Sequence, residues 1–183
     1  MQFVRWISAI CLALSLAAAA QTGPPTPKKN AAAPASTQLV QPQKELPMTK
    51  RAIGTFEVKI TPQKPDNKPA ETANIGRMSI DKQFKGDLEA TSMGEMLAAM
   101  SDVKGSAGYV AMERVNGTLH GRTGTFVLQH QGTMTRGVPG LSVTVVPDSA
   151  TGELVGLSGS MNIIIENGKH SYEFDYAIAE PQK

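Results

Sequence analysis

The chain is poor in the residues that most often announce chemistry. Of its 183 residues one is cysteine and one is tryptophan, and both, Cys11 and Trp6, fall within the first twenty. Beyond residue 20 the chain offers no disulfide, no thiolate metal site and no thiol nucleophile. The Gly-x-Trp phrase of lipocalin barrels is excluded on the same ground. The three histidines, His120, His130 and His170, lie far apart, and no His-x-His or His-Glu-x-x-His occurs, so no metal site is expected. No residue pattern calls for a cofactor. Charge of one sign is lacking too. Lys and Arg number 18, Asp and Glu 16, for a net charge of +2. With no Lys/Arg run, neither a nucleic acid nor an anionic membrane surface is an expected partner.

Long apolar runs are also missing. Ile7 to Ala17 is too short to span a bilayer. Arg5 precedes it, and Ala18-Ala19-Ala20 follows as a small-x-small cleavage pattern. That is the layout of a secretory signal peptide over residues 1–20, and it predicts export to a periplasm or the exterior, with no membrane span once it is removed. Cys11 sits inside the apolar run and is not placed for lipid attachment. Residues 21–48 hold six of the twelve prolines among Ala, Thr, Gln and Lys. Such a stretch buries too little apolar surface to offset the entropy of ordering, so it reads as a disordered linker.

What is present is a glycine-framed phrase used more than once. It reads Gly117-Thr118-Leu119-His120-Gly121-Arg122-Thr123-Gly124-Thr125, then Gly152-Glu153-Leu154-Val155-Gly156-Leu157-Ser158-Gly159-Ser160, with a blurred copy at Gly86-Asp87-Leu88-Glu89-Ala90. Each leads into a stretch with strand character, as if one β-unit were reused. These are not dinucleotide loops, because Leu119 and Leu154 stand where the second glycine belongs. Gly156 to Ser160 is not a hydrolase elbow either, since it ends on serine.

The folded region is expected over residues 49–180 as one domain, with 181–183 a tail. Phe56, Val58 and Ile60 alternate with Thr55, Glu57 and Lys59. Strand character recurs over 76–84, 109–115, 125–131, 141–146, 161–166 and 169–179. Asn167-Gly168 has the residues of a type I′ turn, where both positions need positive φ. That turn sets Glu166 opposite Lys169, Ile165 opposite His170, Ile163 opposite Tyr172 and Met161 opposite Phe174. Asn116-Gly117 is a second candidate turn, and 61–73 reads as a loop. Met93, Met96, Leu97 and Met100 are spaced for a short helix or an irregular strand. Many short strands and frequent glycines predict an all-β fold, a small antiparallel closed barrel, since closure removes exposed edges.

Several blocks resemble a known family. They are Ala52-Ile53-Gly54-Thr55-Phe56-Glu57-Val58-Lys59, Phe84 to Ser92, Glu113 to Leu119, Gly121 to His130, and Val145-Val146-Pro147 with Thr151 to Leu157. Together, over about Thr49 to Ala179, they resemble a bacterial family of domains of unknown function, DUF3224. The resemblance implies a barrel similar to those of allene oxide cyclase and dirigent proteins. It implies no reaction.

Candidate catalytic residues are Glu113, His130 and Glu89. His130 shares the parity of Phe126 and Leu128, and an imidazole on an inward face is placed for acid–base work. Glu113 shares a face with Tyr109 and Ala111. A carboxylate there is either half of a buried ion pair, with Arg114 or Arg122 as partner for Glu113 or Glu89, or a group of shifted pKa. Candidate ligand-binding residues are Tyr109, Arg114, Arg122, Gln129, Tyr172 and Tyr176, although Gln129 and His130 cannot line one face of a regular strand. The methionines suit Cu(I) by softness, but a flexible apolar lining explains them as well. Three functional readings follow. One is a barrel binding a small apolar or amphipathic ligand. Another is an isomerase or cyclase-like enzyme using a carboxylate in an apolar cavity. The third is a filled structural or homo-oligomeric module, its core shut by Met78, Ile80, Phe126, Leu128, Phe174 and Tyr176.

Overall fold

The computed structural model describes residues 49–64 and 73–179. The expected signal peptide, linker and tail lie outside them, as does most of the loop expected at 61–73, whose first residues, Thr61 to Gln63, are strand instead. Eight strands follow in chain order: β1 Lys50–Gln63, β2 Ile75–Gly86, β3 Leu88–Met100, β4 Ala107–Leu119, β5 Arg122–Thr135, β6 Val138–Val145, β7 Leu157–Glu166 and β8 Lys169–Ile178. Each pairs antiparallel with its chain neighbour, and β8 returns to pair with β1. The sheet is a closed up-and-down barrel, as the alternating pattern predicts. Among the described residues the only helical element is a 3-10 turn, Gly152–Leu154.

Alternation decides what faces in. Along β5, Phe126, Leu128, His130, Gly132 and Met134 point inward while Gln129 and Gln131 point out. Three two-residue turns close the hairpins tightly: His120-Gly121, Arg136-Gly137 and Asn167-Gly168, each with both φ values positive. Only the last carries the Asn-Gly pair that marks such a turn in sequence. Its register is the one expected, from Glu166 opposite Lys169 to Met161 opposite Phe174.

Three expectations need correction. Asn116-Gly117 is not a turn, because β4 runs through it to Leu119 and reverses at His120-Gly121. Gly117 is there because a side chain would strike the β3 backbone at Glu89. The stretch 91–100 is part of β3, a regular strand. Its methionines therefore split, Met93 outward and Met96 inward, and cannot gather on one metal. The glycine phrases also differ in structure. The first spans the β4–β5 hairpin, whereas the second holds the 3-10 turn before β7.

One end of the barrel is packed shut. Leu88, Leu119, Phe126, Leu128, Leu154, Phe174 and Tyr172 are almost wholly buried there. Phe126 stacks on Phe174 at 5.9 Å between ring centroids. The segment 146–153 seals the free edge of β5, with Thr151 N–H donating to Thr125 O and Thr125 N–H to Thr151 Oγ1. The core residues expected to fill the barrel are all buried.

The seam between β6 and β7 is different. The two strands meet at one register pair, Thr144 opposite Ser160, although each is fully paired on its other side. Toward the end that carries the β5–β6 and β7–β8 turns, the two strands share no further register pair.

Candidate functional site

Four polar side chains lie inside the apolar barrel. Glu113 of β4 is 0 % exposed, His130 of β5 3 %, Lys82 of β2 8 % and Ser92 of β3 6 %. Strand parity puts them there. Lys82 follows Met78 and Ile80 on the inward face of β2, Ser92 follows Leu88 and Ala90 on β3, and Glu113 follows Ala111 on β4. Gly94, directly opposite Glu113 across β3–β4, leaves the space the glutamate occupies, since a Cβ there would press on Glu113 and the Met112 carbonyl.

Glu113 is the hub. Lys82 Nζ donates to its Oε2 at 2.7 Å, and Ser92 Oγ donates to its Oε1. His130 Nε2, wholly buried, stands 2.8 Å from Oε2. It therefore faces the carboxylate and not the cavity. Burial alone pushes the Glu113 carboxyl upward. The Lys82 ammonium and the neighbouring His130 outweigh that and hold it at about 2. A carboxylate so firmly ionised, with both oxygens engaged, is poorly matched to proton transfer near neutral pH. It anchors the Lys82 ammonium and lies against His130.

Beyond this cluster, away from the packed end, a cavity of about 80 Å³ opens in the barrel. On the same measure one water needs about 10–15 Å³, so there is room for several non-hydrogen atoms. Its walls are apolar: Phe56, Val58 and Ile60 on one side, Ile80, Met96 and Ala98 on the next, Ile163 and Ile165 opposite. Lys82, His130, Tyr109 and His170 supply its polar points. The Lys82 ammonium sits 5.0 Å from the Phe56 ring centre and 5.5 Å from that of Phe84, a favourable placement for a cation over aromatic faces. His170 is held below the ordinary imidazole range by burial and then by the charge of Lys82. Pro139, Gly140 and Leu141 of β6 complete the wall beside the β6–β7 seam, where Leu141 is 38 % exposed.

The expected site residues divide sharply. Glu113 and His130 come together inside, and Tyr109 reaches the cavity with its ring packed over Gly132, its cross-strand partner. Glu89, Arg114, Arg122 and Gln129 point outward and are exposed. The ion pair of Glu113 is with Lys82, not with Arg114 or Arg122. Arg114 instead donates to Thr125 Oγ1 at 3.4 Å. Tyr172 and Tyr176 are buried in the packed end. The Tyr172 hydroxyl accepts from Leu88 N–H at 2.9 Å, and the Tyr176 hydroxyl lies 2.8 Å from His120 Nδ1. Lys82 and Ser92 escaped the sequence reading. Their signal was a polar residue on an otherwise apolar parity, Met78-x-Ile80-x-Lys82-x-Phe84 for the lysine.

Among the described residues no group of three or more His, Cys, Asp or Glu is placed to hold a metal ion. No described helix is long and apolar enough to cross a membrane.

Fold and site define a closed eight-stranded meander barrel, packed shut at one end and hollow at the other, with a buried ionic cluster between. The chain belongs to the DUF3224 family of proteins of unknown function, whose model matches residues 52–176. It is similar to a crystal structure of a DUF3224-family protein of unknown function from Shewanella oneidensis MR-1. The two share 52 % sequence identity with a TM-score of 0.68, over 73 % of this chain and 100 % of that one. No curated protein matches the chain.

Proposed function

We propose that the protein binds a small apolar or amphipathic molecule inside the hollow end of the barrel. The observation that carries this reading is the apolar cavity ending on Lys82 and His130. A void in a well-packed interior forfeits dispersion contacts on all its walls, and a charged cluster beside it is costly to keep out of water. A ligand that fills the first and uses the second offsets both. The binding reading is favoured over a carboxylate-driven isomerase because Glu113 stands behind Lys82 and His130 with both oxygens occupied. The signal-peptide layout expected from the sequence at residues 1–20 supports a working place outside the cytoplasm.

Xenon provides a test that needs no knowledge of the natural ligand, since it occupies dry apolar cavities. Methyl resonances of Ile80, Ile163 and Ile165 are expected to shift under xenon pressure in the full chain, while those of Leu88 and Leu119 at the packed end stay in place. Equal, small shifts throughout would mean that no accessible cavity exists and would overturn the reading.

A further inference from the structure

Four of the large apolar side chains that the barrel leaves exposed stand together on its outer wall. Met93 and Leu97 of β3 and Val110 and Met112 of β4 all point outward, each more than half exposed. Register makes them neighbours. Leu97 lies opposite Val110, Met93 opposite Arg114, and Glu95 opposite Met112. Single exposed apolar residues are ordinary on a folded surface, whereas a contiguous group rimmed by polar residues marks an interaction face. Methionine and arginine are also the residues enriched at the centre of protein interfaces.

The charges on this face select the partner. Arg77 and Asp81 border the group on β2, and Glu95 and Arg114 lie within it, so the four carry two charges of each sign. That balance offers nothing to an anionic membrane or a nucleic acid. The arrangement is complementary to itself. Met93, Arg114, Met112 and Glu95 form the corners of one cell of the sheet, with the methionines on one diagonal and the opposite charges on the other. A half-turn about the methionine diagonal lays a second copy face to face on the first. With strands about 4.8 Å apart, it sets each methionine on its counterpart and brings Glu95 of each copy within side-chain reach of Arg114 in the other. Arg114 is placed to accept this role. It donates to the Thr125 hydroxyl at 3.4 Å and has no carboxylate partner among the described residues. Glu95 accepts from Arg77 at 2.9 and 3.3 Å, and its remaining lone pairs can take a second guanidinium. Shallow hollows flank Met112 on both sides, one beside Leu97 and Val110 and the other beside Met93 and Gly94, which lets facing methionines interleave.

We propose that the outer face of β3 and β4 is the interface of a homodimer, its two-fold axis along the Met93–Met112 diagonal and its Glu95–Arg114 ion pair made twice. The barrel wall curves away on both sides, so the contact is small and the dimer weak, with Kd on the order of 10 µM.

The experiment is sedimentation equilibrium on protein purified from cells expressing the full chain, over about 1 to 500 µM, with methionine-methyl NMR across the same range. A monomer–dimer equilibrium is expected, in which the Met93 and Met112 methyls shift with concentration while those of the buried Met134 and Met161 stay in place. Arg114→Glu sets two acids against each other across the axis, and Glu95→Arg sets two cations. Each substitution lies on the exposed outer wall and is expected to weaken self-association about tenfold or more. Mixed in equal amounts, the two variants restore both ion pairs and are expected to associate within about threefold of wild type. Wild-type protein that stays monomeric throughout would overturn the proposal, whatever the variants do. A dimer that both substitutions leave intact, or one that forms with the Met93 and Met112 methyls unmoved, would overturn it as well. So would a mixture of the two variants that remains monomeric where wild type is dimeric.

Discussion

Replacing Glu113 by glutamine probes the buried cluster most directly, because it removes one charge and one titration while keeping the shape. Glu113 is held at about 2, against an ordinary value of 4.5. Its pKa is depressed in the folded state, so the stability it contributes is complete above about pH 4.5 and is lost as pH falls toward about 2. At 1.36 kcal/mol per unit, that gap is worth about 3 kcal/mol. The group is fully buried, so solvent screening takes little from the figure. Glutamine also leaves Lys82 buried without its counter-ion, and breaking one side of a buried pair costs about 3–5 kcal/mol. The two routes agree in size. The assay is urea denaturation of wild type and Glu113→Gln at intervals from pH 7 to pH 2. Exposed acid pairs such as Arg51–Asp175 and Arg77–Glu95 add acid sensitivity to both proteins and cancel in the difference. Wild type is expected to be more stable by about 3 kcal/mol at pH 7, with the difference closing below about pH 4. A difference that stays constant down to pH 2.5 would refute the reasoning, since Glu113 would then not titrate in that window. A wild type no more stable than the variant at pH 7 would refute it as well.

Three further outcomes are expected. Tyr172→Phe removes the acceptor of the buried Leu88 N–H and should lower stability by about 1–3 kcal/mol in urea denaturation, with an unchanged barrel by circular dichroism. Gly94→Ala drives a methyl group against Glu113 and the Met112 carbonyl and should cost about 1–3 kcal/mol as overpacking. Its thermal midpoint is expected to fall, and an unchanged midpoint would mean that the cluster is loose rather than fitted. Fractionation of cells expressing the full chain should recover the barrel outside the cytoplasm with Gln21 as its first residue; intact cytosolic protein beginning at Met1 would contradict the leader reading.

Much of the barrel was legible in the sequence because its period is short-range. Alternation along Phe56-x-Val58-x-Ile60 fixes which side of β1 is wet, and Asn167-Gly168 fixes one hairpin register outright. Where side chains carry mixed messages, the sequence misleads. Met93, Met96, Leu97 and Met100 suit a helical face, yet pairing with β2 and β4 along the whole of β3 overrides that local spacing. His120-Gly121 and Arg136-Gly137 turn as tightly as Asn167-Gly168, but their first residues carry no turn preference strong enough to notice.

What the sequence by itself determined is the strand period and which residues share a face, His130 with Phe126 and Leu128 and Glu113 with Tyr109 and Ala111, since a period of two leaves each residue only two directions; which of those faces is inward came from the folded barrel. Tertiary structure decided the partners. Lys82, Ser92, Glu113 and His130 sit on β2, β3, β4 and β5, and only the stagger of those strands determines that their side chains reach one another. The same holds for the hollow end. Whether inward residues fill a barrel depends on how strands are offset and where pairing stops, as it does between β6 and β7 beyond Thr144 and Ser160, and no local pattern encodes that offset.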